Sequence, residues 1–166
     1  MTPFERRGTE LIARFEQAEV AVLVQLASEV QGLLSQFESV EPGSPSERAI
    51  GRLLPAAYRD GGDNDEEFRR FTAEGLVDRK TRNAARVRAT LAGGDTNDGV
   101  LTVTLDADGT QSWLRTLTDI RLTLAAGLGI EKDGDERLIE DEDRFALDVY
   151  GWLGYVQETL LEALES

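Results

Sequence analysis

The sequence predicts a mainly α-helical protein: about five helices in a bundle, with one short β-strand or β-ribbon before the fourth long helix. Three observations predict it. Apolar residues recur at three- and four-residue steps through most of the chain, Pro and Gly clusters divide it into segments of helical length, and only Gly99 to Leu105 shows β-branched alternation. At 166 residues a single helical domain, 1–166, is expected. Folding at that length buries about 70% of the unfolded surface, so neither a disulfide nor a metal is needed for a core.

From Thr9 to Phe37 the residues Leu11, Ile12, Phe15, Ala18, Val22, Leu26, Val30, Leu33 and Phe37 keep helical steps, predicting one long helix of roughly eight turns. Val40-Glu41-Pro42-Gly43-Ser44-Pro45 stops it, because proline has no N–H to donate and disfavours helical geometry in the residue before it. Ser46 and Glu47 supply an oxygen and a negative charge at the start of a short second helix to about Leu54. Pro55 to Arg59 would extend it with a kink, and Asp60-Gly61-Gly62-Asp63-Asn64 has the chemistry of a loop. Residues 65–92 lack proline, open on Asp65, Glu66 and Glu67, and carry Phe68, Phe71, Ala84, Val87 and Leu91 at mostly helical spacing. They predict a third helix ended by Gly93-Gly94, with Gly75 marking a candidate break.

Gly99 to Leu105 reads as a strand, and a lone strand needs a partner from this chain or from a second copy. Asp106 to Thr110 turns the chain into a fourth helix, with Trp113, Leu117, Ile120, Leu124 and Leu128 on one face and Gly129 at its end. After the acidic loop Glu131 to Glu136, a last helix places Phe145, Val149, Trp152, Val156, Leu160 and Leu164 along a heptad-like seam. No internal repeat is visible.

The chain has no Cys and no His, which removes thiol nucleophiles, imidazole bases, sulfur- and nitrogen-ligated zinc, and every triad that relays a proton through His. Carboxylates, hydroxyls, arginines, three Tyr and the two lysines Lys80 and Lys132 remain. No phosphate-cradling glycine motif is present, because Gly127-Leu128-Gly129 ends a helix instead of starting one. Registering either acidic turn on a calcium loop misplaces its first ligand: Gly134 puts Gly129 there, and Gly109 puts Thr104 there. No metal and no cofactor is expected.

The longest purely apolar run, Val20 to Val24, is far short of the ~20 residues that span a bilayer, and the N-terminal stretch lacks the uncharged core of a secretory signal. A cytoplasmic protein that does not engage membranes is expected. The formal charge is −14, of which residues 131–166 hold −9. Such a balance repels a polyanion, so nucleic acid is disfavoured and confined to an island holding seven of the eighteen bases, Arg69, Arg70, Arg79, Lys80, Arg82, Arg86 and Arg88. The simpler reading pairs these bases with Glu66, Glu67, Glu74, Asp78 and the acidic last helix. Trp113 and Trp152 sit in apolar seams and read as core. Asp119 lies four residues from Arg115 and would pair with it on the helix surface, whereas Arg121, between Ile120 and Leu122, would reach inward and need a carboxylate.

Arg52-Leu53-Leu54-Pro55-Ala56-Ala57-Tyr58-Arg59, Glu67-Phe68-Arg69-Arg70-Phe71-Thr72, Arg79-Lys80, Asn83-Ala84 and Trp113-Leu114-Arg115-Thr116-Leu117-Thr118-Asp119-Ile120-Arg121-Leu122 together resemble an actinobacterial domain-of-unknown-function family, DUF2017. The resemblance continues through Gly129-Ile130, Tyr150-Gly151-Trp152-Leu153 and Gln157-Glu158. Two positions depart from the family's pattern: Thr118 stands where Asn is usual, and Gly127 where Arg is usual. The resemblance implies no catalytic or ligand residue. It does imply a link to regulated proteolysis, since family members are often encoded beside a Clp-type protease adaptor.

These readings converge on a noncatalytic protein that works through protein contacts, with self-association, a homodimer included, or a regulatory partner. The partner-binding candidates are Tyr58, Arg59, Arg79, Lys80, Arg82, Arg86, Asp119 and Arg121. Two alternatives stay open: a DNA-contacting regulator using residues 69–88, and a carboxylate-based or metal-assisted enzyme using Asp119 or the acidic loop.

Overall fold

In a computed structural model, which describes residues 1–55 and 63–166 and the side chains of all of these but 63–65, the protein is mainly helical with five α-helices and a small antiparallel sheet. The chain opens with a hairpin of β1 (Thr2–Arg7) and β2 (Glu10–Glu16), where a single helix was expected from Thr9 onward. Leu11 and Phe15 are four residues apart and satisfy both periods; Leu11, Ala13 and Phe15 are the buried set, alternating with exposed Glu10, Arg14 and Glu16. Gly8, at φ +65°, supplies the first position of the two-residue turn that sets the Arg7 to Glu10 register. A register shift between Thr2 and Glu5 accompanies Phe4, the one buried residue of β1.

The helical part of the expected first segment begins only at α1 (Gln17–Ser35), where Glu19 accepts the Glu16 N–H at 2.7 Å. α2 (Pro45–Leu53) is capped by Ser44, not Ser46: its hydroxyl accepts from the Glu47 N–H at 3.2 Å, and Glu47 in turn accepts from the Gly43 N–H at 2.6 Å. Ser44-Pro45-Ser46-Glu47 spells out this cap, with proline in the first helical turn. α3 (Asp63–Gly93) runs through Gly75 without a break. The kink and loop expected over residues 56–62 lie outside the described residues.

The expected strand has its partner within the chain. β3 (Asp95–Asn97) and β4 (Val100–Leu105) form a hairpin on Asp98-Gly99, both at positive φ, and β4 pairs along its other edge with β2, giving the order β1-β2-β4-β3. The pairs Leu11–Leu105, Ala13–Val103 and Phe15–Leu101 put all six residues on one buried face. Gly94 lies so close to β4 that a Cβ there would sit 2.7 Å from the Thr102 carbonyl oxygen.

Asp106 caps α4 (Ala107–Leu128) by accepting the Gly109 N–H at 2.6 Å, and Gly129 closes it in the left-handed conformation. Two short 3-10 turns, Asp135–Leu138 and Asp141–Asp143, lead into α5 (Arg144–Glu165). α4 is the central helix, packed against α2, α3 and α5. Its Trp113 is fully buried against Phe4 and Phe15, with all three ring centroids within 6.0 Å of one another, so this aromatic trio joins the sheet to the helices. One apolar cluster contains Phe4, Phe15, Leu23, Ile50, Val87, Val103, Trp113 and Leu160, and so draws on all five helices and the sheet.

Candidate functional site

Three of the sequence-derived candidates, Lys80, Asp119 and Arg121, meet at two faces of α4. Asp119 and Arg121 are two residues apart, about 200° around a helix, so they point to different neighbours. Asp119 faces α3, where the Lys80 ammonium donates to its Oδ1. The expected pairing of Asp119 with Arg115 is not what forms: Asp119 is buried and Arg115 exposed, because the register of α4 against α3 turns the carboxylate inward. Burial pushes the Asp119 carboxyl above its ordinary value of 3.8, and the hydrogen bond and charge of Lys80 pull it back only in part. Its second oxygen, Oδ2, is buried with no hydrogen-bond partner, as are Trp113 Nε1 and Thr116 Oγ1 on adjacent turns. The pair is enclosed between two helices, a position that serves cohesion better than reaction with a substrate.

Arg121 faces α5. The carboxylate expected for it is absent among the described residues; its NH1 donates instead to Gln157 Oε1 at 3.2 Å, and its guanidinium lies 4.8 Å from the centre of the Tyr150 ring. Gln157 Nε2 donates to Thr118 Oγ1 at 2.7 Å, fixing the amide so that its oxygen meets the arginine. Nε of Arg121 is buried and unpaired. Thr118, Arg121, Leu122, Ala125, Tyr150 and Gln157 line a cleft of about 260 Å³. Tyr150, Gly154 and Gln157 share one face of α5, and the guanidinium lies against Gly154, 3.5 Å from where a Cβ would stand, an ordinary contact distance. That spacing was readable in the sequence; what α5 packs against was not.

The other basic candidates disperse. Arg86 pairs with Asp106 at 3.2 Å beside a second cleft, of about 240 Å³, lined by Glu10, Thr90 and Thr104. Arg70 reaches Glu38 at 3.0 Å and Glu74 at 3.5 Å, and Arg88 donates to Gln31. Arg79 and Arg82 are exposed, Arg82 donating to the Asp78 carbonyl within its own helix. Tyr58 and Arg59 lie outside the described residues. Among the described residues no three carboxylates come together as a metal site requires.

Exposed apolar side chains are the feature that periodicity missed. Phe68 and Phe71, expected in a core, are 70% and 75% exposed, and Leu138 and Phe145 are 79% and 74% exposed. Phe71 precedes Lys80 by as many residues as Leu128 follows Asp119, so the antiparallel pairing sets it level with the end of α4. Phe145 is likewise level with Ile130 through the Gln157–Thr118 contact. Both sets therefore mark the end of the molecule remote from the sheet. At 31 and 22 residues, α3 and α4 are about 46 and 33 Å long, so α3 overshoots its neighbour there.

Helices covering one face of a four-stranded antiparallel sheet, with a cationic cleft between α4 and α5, define a mainly helical protein with a small sheet. The chain belongs to the domain-of-unknown-function family DUF2017, whose model matches residues 1–164. No curated protein and no solved structure matches it. No helix among the described residues is long and apolar enough to cross a membrane.

Proposed function

We propose that this protein is a noncatalytic regulatory protein that binds a protein partner at the end remote from its sheet. One observation carries the reading: Phe68 and Phe71, three residues apart on one face of the overshooting α3, hold aromatic rings in water. Aromatic side chains of that exposure contribute little to folding, and they are the residue types that anchor protein interfaces. They also lie in the Glu67 to Thr72 stretch that carries the family resemblance.

Two features that could have served self-association, the strand and the heptad-like seam, are used within the chain. β4 is paired on both edges, and the α5 seam is largely used by the core: Val156 and Leu160 are buried and Val149, Trp152 and Leu164 pack against it, while Phe145 stays exposed. Two chains of charge −14 also repel each other. A heterologous partner is the better fit, and the regulated-proteolysis machinery indicated by the resemblance is the first place to look. The DNA reading loses Lys80 and Arg86 to Asp119 and Asp106, and Arg70 and Arg88 are engaged by Glu38, Glu74 and Gln31, so more than half of its seven bases already have partners within the chain.

The test is a Phe68→Ser/Phe71→Ser variant. It should unfold within about 0.5 kcal/mol of the parent, while losing the proteins that the parent captures, including a purified Clp-type adaptor if that is the partner. Unchanged capture, or a large loss of stability, would sink the proposal.

A further inference from the structure

We infer that the cleft between α4 and α5 is a binding site for a carboxylate carried on a small apolar group. In a chain with 32 acidic residues, Arg121 meets none of them among the described residues; it is held by a neutral amide and an aromatic face. Its NH1 is engaged by Gln157, Nε is buried, and NH2 makes no hydrogen bond within the described structure. A partly buried guanidinium with an unused donor is completed best by an anion with two oxygens, because charge-assisted bonds to a carboxylate exceed those to neutral acceptors.

The walls set the rest of the ligand. Leu122, Ala125 and Tyr150 offer apolar contact beside the cation, and Thr118 and Gln157 hold its position. About 260 Å³ is below the range of pockets that take drug-sized ligands or nucleotide cofactors. The space suits a short branched acid or the last residue of a protein chain, both of which present a free carboxylate next to a small apolar body.

The intact protein, labelled with ¹⁵N, would be titrated with isobutyrate, with isobutyramide, and with a short peptide ending in valine as the free acid or as the amide. The inference expects saturable shifts of the Arg121 Nε–H and Gln157 side-chain signals with the two acids and none with the two amides. Tighter binding of the peptide acid than of isobutyrate assigns the ligand to a protein terminus, and the reverse order to a free acid. Two variants guard the result. Arg121→Met should weaken binding at least about tenfold, the effect of losing a charged hydrogen bond. Gln157→Glu, which places a carboxylate where the amide now meets NH1, should block the acids while raising the melting temperature. Equal shifts with acid and amide, no saturation with either acid, or acid binding that survives both substitutions would overturn the inference.

Discussion

Asp119 shows how one residue's environment sets the behaviour of the molecule. Lys80 and Asp119 are 39 positions apart and meet because α3 and α4 run antiparallel, and removing either leaves a charge in a place built for two. Such removals cost about 3–5 kcal/mol, the lower end applying here because Lys80 keeps some contact with water. Lys80→Met alone should lower stability in urea by about that amount, whereas Lys80→Met/Asp119→Leu should recover most of it. The raised carboxyl pKa fixes a sign as well. Between 3.8 and its folded value, Asp119 holds a proton in the native state that the unfolded chain has already released. Its contribution to stability is therefore complete below 3.8 and is lost as pH rises through the folded value. The stability of the parent minus that of Asp119→Asn should fall with pH across this window; a flat or rising difference would contradict the burial argument.

Among the elements, glycines separate what local propensity controls from what contact controls. Gly75 lies inside α3 with only the Arg79 side chain near its absent Cβ, at 3.9 Å. Gly75→Ala should stabilise the protein by about 0.5–1 kcal/mol, the usual difference between these residues within a helix. Gly94 is the opposite case. Its Cβ would meet the Thr102 carbonyl at 2.7 Å and Leu101 at 2.8 Å, so Gly94→Ala should destabilise by more than Gly75→Ala gains. Thermal melts of the two variants should move in opposite directions. The ends of α4 were legible for a similar reason: Asp106 and Gly129 are local signals for capping and stopping a helix. The α2 cap was written just as locally, in Ser44 and Glu47, but Ser46 competes for the same role in the sequence.

For the whole molecule, the aromatic trio is the joint between sheet and helices. Phe4 comes from an edge strand with no other buried residue, yet its ring contacts both Phe15 and Trp113. Phe4→Ala should cost about 3–5 kcal/mol by leaving a cavity against Trp113, seen as a lower urea midpoint and a shift in tryptophan emission. The two clefts and the exposed aromatic end lie outside this joint. A Phe4 variant that stays folded should therefore keep partner capture at Phe68 and Phe71, and carboxylate binding at Arg121.

By itself the sequence determined the predominantly helical character, because a three-to-four period reports which face of a segment is apolar without reference to the rest of the chain. It also determined the absence of imidazole and thiol chemistry. Tertiary structure decided the remainder. Leu11 and Phe15 fit a helix face and a strand face equally, and the choice was made by Leu105 and Leu101 across the β2–β4 ladder. Asp119 found Lys80 in place of Arg115, Arg121 found an amide in place of a carboxylate, and Phe68 and Phe71 stayed in water where α3 reaches and passes the end of α4. Each of these outcomes depends on pairing between residues far apart in the chain, and a local repeat carries no record of which distant surface will arrive.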